Sequence, residues 1–172
     1  MKRLALSTAI LLSSTGCLEV EKVSYTFDLS SMSAEVLYVG IRSDSADNVE
    51  EDFKQLMGEF VNGNKLETEN LGWNIQSKEL FEEDGKLMGK VKFNFRALDN
   101  VKIYQHDKKS PYIFCDNEQT VLSSNGTGIQ DVLKGCVAWD SKQTSLEVSL
   151  GKAGGFAGEP VSLLEKWQGS QG

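Results

Sequence analysis

Val23, Tyr25, Phe27 and Leu29 are apolar, and the Ser24, Thr26 and Asp28 that separate them are polar. A period of two is that of a strand with one face buried and the other in water. The stretch Ser30–Ser33 then predicts a turn into Ala34–Ser43, which carries Leu37, Val39 and Ile41 on one side and Val36 and Tyr38 on the other. Apolar residues on both sides predict a central strand.

From residue 48 to 62 the period lengthens. Val49, Phe53, Leu56, Met57, Phe60 and Val61 fall at i, i+4, i+7, i+8, i+11 and i+12, the single stripe of an amphipathic helix. Asp47 with Glu50 predicts a capping box, Glu50, Glu51 and Asp52 lie at the positive end of the dipole, and Gly63 is placed to end the helix in the left-handed conformation. The Phe and Met residues of this stripe read as core.

Trp73 to Phe95 predicts a hairpin, and the choice is its register. A two-residue Asp84–Gly85 turn would set Ile75 against Asn94 and Lys78 against Val91, mixing the faces. A three-residue loop, Glu83–Gly85, pairs Glu82 with Lys86, Phe81 with Leu87, Ile75 with Phe93 and Trp73 with Phe95. That keeps one face apolar and is the expected register, with strands near 72–82 and 86–98. Short strands follow at Tyr112–Cys115, Thr120–Ser123, Gly135–Asp140 and Thr144–Leu150. The glycine-rich run 151–160 reads as a linker to a short C-terminal helix holding Val161, Leu163, Leu164 and Trp167. The expected fold class is α+β: one antiparallel sheet of about six to eight strands, one long helix packed on a face, and a short C-terminal helix.

Composition sets bounds on this outline. The chain has 172 residues, 40% of them hydrophobic and 25% charged, with mean hydropathy −0.31, ordinary values for one globular domain. The first residues stand apart. Lys2 and Arg3 precede the apolar run Leu4–Leu12, and small residues fill Ser13–Gly16. A run of that length is too short for a bilayer core about 30 Å thick, so residues 1–16 read as a cleaved export signal.

"SSTGC", ending at Cys17, resembles the lipobox of bacterial lipoproteins. Thr15, Gly16 and Cys17 match it, while Ser14 stands where that family usually carries Leu or another branched apolar residue. The resemblance implies that the Cys17 thiol takes a diacylglycerol and becomes the acylated first residue. Leu18 in place of an Asp then implies the outer membrane. An ordinary secretory cut before Cys17 is the other possibility. Cysteine arithmetic favours the lipid: of Cys17, Cys115 and Cys136, acylation of the first leaves an even pair, which an oxidising compartment can join as a disulfide. The expected organisation is signal peptide 1–16, lipidated tether 17–22, domain 23–150, and linker with terminal helix 151–172.

Processing removes Lys2 and Arg3, so the 18 basic side chains become 16 against 25 acidic ones, a formal charge of −9 in place of −7. An acidic surface repels phosphate backbones, so nucleic acid is not an expected partner, and attachment to a membrane must come from the lipid.

No reaction is written into the chain. His106 stands alone in a polar loop without a nucleophile elbow, no Cys/His spacing suits zinc, and the "SDSADN" segment has Ala46 where a calcium loop needs a ligand. Glu82, Glu83 and Asp84 sit on a wet hairpin tip, "GKAGGFAG" lacks the phosphate-loop lysine and hydroxyl, and Asn125-Gly126-Thr127 is a sequon that bacterial lipoproteins do not normally use. Neither catalytic residues, a metal nor a cofactor is expected. The favoured reading is a non-catalytic structural or interaction module meeting another envelope protein. The alternatives are a carrier of a small apolar ligand between helix 48–62 and the sheet, near Trp73, Phe93 and Phe95, and a hydrolase whose site is assembled from distant residues.

Overall fold

The structure, a computed structural model, describes residues 18–116, 118–129, 135–152 and 159–172. Cys17 and residues 1–16, the expected signal peptide, lie outside them, as does most of the glycine-rich run 151–160. Strands take 47% of the described residues, about twice the usual share. In chain order they are β1 Leu18–Glu19, β2 Lys22–Asp28, β3 Ser33–Val39, β4 Arg42–Ser43, β5 Trp73–Glu83, β6 Lys86–Phe95, β7 Ile103–Tyr104, β8 Tyr112–Cys115, β9 Gln119–Ser124, β10 Thr127–Gly128, β11 Cys136–Trp139, β12 Ser145–Lys152 and β13 Val161–Ser162.

The expected α+β fold with a single sheet and one long helix does not form. The protein is mostly β, and its strands make three antiparallel sheets: β5-β6-β3-β2-β12-β9, β10-β11-β8-β7, and β1-β4-β13. The reason is tertiary. Two-residue strands such as β1, β4 and β13 are too short to show a period, yet they pair: Leu18 and Val161 both face Ser43. The chain near residue 18 and the chain near residue 161 are thereby held on either side of β4.

The stripe at 48–62 is helical but not one regular α-helix. A 3₁₀ turn at Ala46–Asn48 leads into α1, Val49–Gln55, and then into a π-helical turn, Leu56–Val61. No side-chain cap forms at Asn48, so the expected capping box is absent. Gly63 is not left-handed; a Cβ there would stand 2.6 Å from the carbonyl oxygens of Gly58 and Glu59, so the glycine is required by space rather than by φ. Short helices α2, Lys65–Glu69, and α3, Leu164–Gly169, complete the helical content beside a 3₁₀ turn at Leu98–Val101.

The six-stranded sheet has one inner face, and the ladder pairs align its residues in rows. Leu146, Phe27, Ala34, Phe93 and Ile75 form one row; Val148, Tyr25, Val36, Val91 and Lys78 the next; Leu150, Val23, Tyr38, Gly89 and Leu80 a third. Strand β3 is interior, as its two-sided apolar pattern predicts. Phe114 of β8 lies 6.0 Å from the Tyr25 ring and 6.4 Å from Phe27, so the second sheet covers the β2 half of this face. Leu56, Phe60 and Leu66 cover the β5–β6 half and join the same core.

The hairpin β5–β6 combines both registers weighed from sequence. Asp84 and Gly85 both have positive φ, 51° and 71°, the two-residue type I′ turn, and Glu83 pairs with Lys86. A bulge between Ile75 and Ser77 then shifts the ladder so that Ile75 meets Phe93 and Trp73 meets Phe95. The three-residue loop is therefore wrong at the tip, because the extra residue sits at Gln76 rather than in the turn.

Candidate functional site

Gly89 explains the one apolar pocket that stands out among the described residues. In the third row of the inner face it lies between Tyr38 and Leu80, and it contributes no side chain. A Cβ there would meet Ile41 Cδ1 at 3.0 Å and Leu80 and Tyr38 at 3.6 Å. The space so left is a half-open cavity of about 50 Å³ bounded by Tyr38, Leu56, Phe60, Leu66, Leu80 and Val91. The π-helical turn forms its roof. Such turns are rare and recur at functional sites because the extra residue per turn displaces side chains from the regular register.

The polar residues of the lining are Tyr38, Glu69, Lys78, Glu79 and Lys90. Tyr38 is 8% exposed, and its hydroxyl has no hydrogen-bond partner. Burial, with a smaller contribution from the Glu69 carboxylate, pushes its ionisation well above the ordinary phenol range, so the group remains an O–H donor. Lys78 lies on the inner face because the two-residue turn puts it opposite Val91. Its ammonium donates to the Gly63 carbonyl at 2.6 Å and to Glu67 Oε2 at 3.0 Å, which takes the charge out of the apolar row and ties the edge strand to the chain after the π turn.

Trp73, Phe93 and Phe95, the residues expected to face a ligand, are buried and packed on one another. The Trp73 and Phe93 rings stack with centroids 3.7 Å apart, Phe95 lies 6.5 Å from Phe93, and Trp73 Nε1 donates to the Asn100 carbonyl at 3.0 Å. None of the three lines the pocket under the π turn. Sequence reasoning missed Tyr38 and Gly89 as a pair. The signal was present: a glycine inside a strand otherwise rich in apolar residues marks a missing side chain.

Cys115 and Cys136 are joined, with S–S 2.04 Å and Cα atoms 4.1 Å apart, and they are directly opposed across β8 and β11. The expected disulfide is thus present. Elsewhere the polar candidates serve the fold. His106 is exposed, its Nδ1 3.4 Å from the Tyr104 hydroxyl. Asp52, buried, accepts from the Ser43 hydroxyl at 2.5 Å, which joins the "SDSADN" segment to α1. Asp116, also buried, accepts from the N–H groups of Glu118 and Gln119. Asn125 of the sequon accepts from Trp139 Nε1 at 2.7 Å and from the Glu147 N–H at 2.9 Å, and donates to the Ser145 carbonyl at 3.0 Å.

Among the described residues no group of three or more His, Cys, Asp or Glu is arranged to hold a metal ion, and no helix is long and apolar enough to cross a membrane. No known protein family, curated protein or solved structure matches this chain.

Proposed function

We propose that this protein is a lipid-anchored component of a bacterial cell envelope, held in the outer membrane by acyl chains on Cys17, and that its β domain is a non-catalytic interaction module for another envelope protein. The observation that carries the reading is the Cys115–Cys136 disulfide. Such bonds persist in oxidising compartments, and this one uses the two cysteines of the body, leaving Cys17 as the thiol available for lipid. One acyl chain anchors marginally while two or more hold firmly, so the anchor suffices without a spanning helix. The exposed large apolar residues support the role: Tyr104 is on β7 and Leu122 on β9, both edge strands, and Leu71 lies just before β5, the other edge of the large sheet. Sheet edges with apolar neighbours are natural docking places.

Fractionation tests the anchor. Wild-type protein is expected in the particulate fraction after high-salt washing, and the Cys17→Ser variant is expected to leave it and to accumulate unprocessed. Retention of the fully processed variant in that fraction would remove the anchor from the account.

A second reading has its own support. The pocket formed at Gly89 beneath the π turn lies between helical segment and sheet, which is where a carrier of a small apolar ligand would hold it. Saturable binding at that pocket tests this reading.

A further inference from the structure

Cys17 is bonded to a residue that is already fixed in the fold. Leu18 is 3% exposed and belongs to the core, it pairs with Ser43 while Glu19 pairs with Arg42, and Lys152 Nζ donates to Glu19 Oε1 at 2.7 Å. Consecutive Cα atoms are about 3.8 Å apart, so acyl chains on Cys17 attach within one peptide unit of the folded body. A free tether of six residues would reach about 20 Å. We infer that the domain is seated directly on its bilayer, with the Leu18 end of the β1–β4–β13 sheet against the lipid headgroups and the Ser30–Met32 turn facing away. The inference rests on the Cys17 anchor and names the surface that meets the membrane.

Strand pairing sets which residues lie at that surface. Leu18, Ser43 and Val161 form one row of the small sheet, and the chain continues from this row through Asp44 and Ser45 after β4 and enters it through Glu159 and Pro160 before β13. The end that faces away belongs to the large sheet. There Lys22 pairs with Val39 and Asp28 with Ser33, and β2 covers about 20 Å between these pairs at roughly 3.3 Å per residue, which carries the Ser30–Met32 turn away from the anchor. Asp44 and Glu159 are acidic, and an acidic rim gains nothing from an anionic bilayer. Charge therefore does not bring this end to the membrane; the short attachment does. Releasing β1 to lengthen the attachment would expose Leu18 and break the Glu19–Lys152 bridge.

The test uses the acylated protein, extracted from membranes and placed in bilayer discs of phosphatidylethanolamine and phosphatidylglycerol, a small share of which carries a gadolinium chelate on the headgroup. Amide relaxation measured by NMR is expected to be enhanced roughly fivefold or more at Ser43–Ser45 and Val161–Ser162 over Ser30–Met32, given the roughly 20 Å of strand between the two ends. A variant with about twelve Gly and Ser residues inserted between Cys17 and Leu18, a flexible length of about 20 Å, leaves the fold untouched and is expected to bring the two sets within about twofold of each other. Equal enhancement at both ends of the uninterrupted chain, a larger one at Ser30–Met32, or a gradient that survives the insertion would overturn the seating, while acyl mass on Cys17 in the same sample keeps the anchor. A membrane-extracted sample without acyl mass on Cys17 would overturn the anchor and the seating together.

Discussion

Lys78 stands directly opposite Val91 across the β5–β6 ladder, at the end of an otherwise apolar row that runs through Val36, Tyr25 and Val148. Its stem covers the row, and its ammonium crosses to Gly63 and Glu67. The side chain is 14% exposed and that of Glu67 34%, so water screens the ion pair and the bond to the Gly63 carbonyl carries more of the effect.

Lys78→Met keeps the apolar stem and removes the tie. It is expected to lower unfolding stability by about 1–2 kcal/mol, read from urea denaturation. It is also expected to raise hydrogen exchange at Asn62–Glu69 above that in α1. Unchanged exchange there would mean that the tie does not hold the segment.

Cys115 and Cys136 close a loop with a sequence separation of 21. In the chain-entropy account, such a loop adds about 3 kcal/mol by restricting the unfolded chain. The double variant Cys115→Ala/Cys136→Ala is expected to lose about that much in denaturant unfolding, and reduction of the wild-type protein should lower its stability similarly. A loss below about 1 kcal/mol would show that the β8–β11 pairing stands without the bond.

Strand positions were largely legible, and their assembly was not. Val23, Tyr25 and Phe27 face inward as their alternation requires, and the short strands around Cys115 and Cys136 begin and end near the expected residues. The bulge at Gln76 had a visible signature that a single-register reading passes over. Apolar positions are odd at Trp73 and Ile75 and even at Leu80, and a phase change inside a strand requires an extra residue. The π turn had no comparable signature, since the stripe Leu56, Met57, Phe60, Val61 suits either helix. The pocket was legible only in part: Gly89 marks a missing side chain, but its neighbours Tyr38 and Leu80 come from strands whose pairing is fixed only in three dimensions. Trp73 and Phe93, expected near a ligand between helix 48–62 and the sheet, stack on each other.

Asn125 ties two strands, β11 and β12, through one side chain, and its loss leaves the indole N–H of Trp139, itself 2% exposed, without its acceptor. Asn125→Ala is expected to cost about 2–3 kcal/mol. Asn125→Asp, which preserves the acceptor for Trp139 and Glu147 but removes the donor to Ser145, should cost less. Thermal melting of the two variants checks the order, and equal losses would contradict it.

Asp28 accepts hydrogen bonds from the Ser30 hydroxyl at 2.5 Å, from the Ser31 hydroxyl at 2.7 Å and from the Ser30 N–H at 2.9 Å. Chiefly through the Ser30 hydroxyl, these hold its pKa at about 2 in place of 3.8. A lowered carboxylate pKa contributes stability above its unfolded value, near 3.8, and loses it as pH falls through the folded value, so the window is the interval between them. Carboxyl carbon NMR is expected to give a midpoint near 2, moving toward 3.8 in Ser30→Ala/Ser31→Ala. A wild-type midpoint already near 3.8 would rule out the turn network.

One spectrum reads the proposed export and acylation together with the Cys115–Cys136 disulfide. Intact mass of protein extracted from membranes with detergent is expected to match a chain beginning at Cys17, increased by a diacylglycerol, and to gain two hydrogens when Cys115–Cys136 is reduced. A chain that still begins at Met1, an unmodified Cys17, or a mass indifferent to reductant would contradict the account.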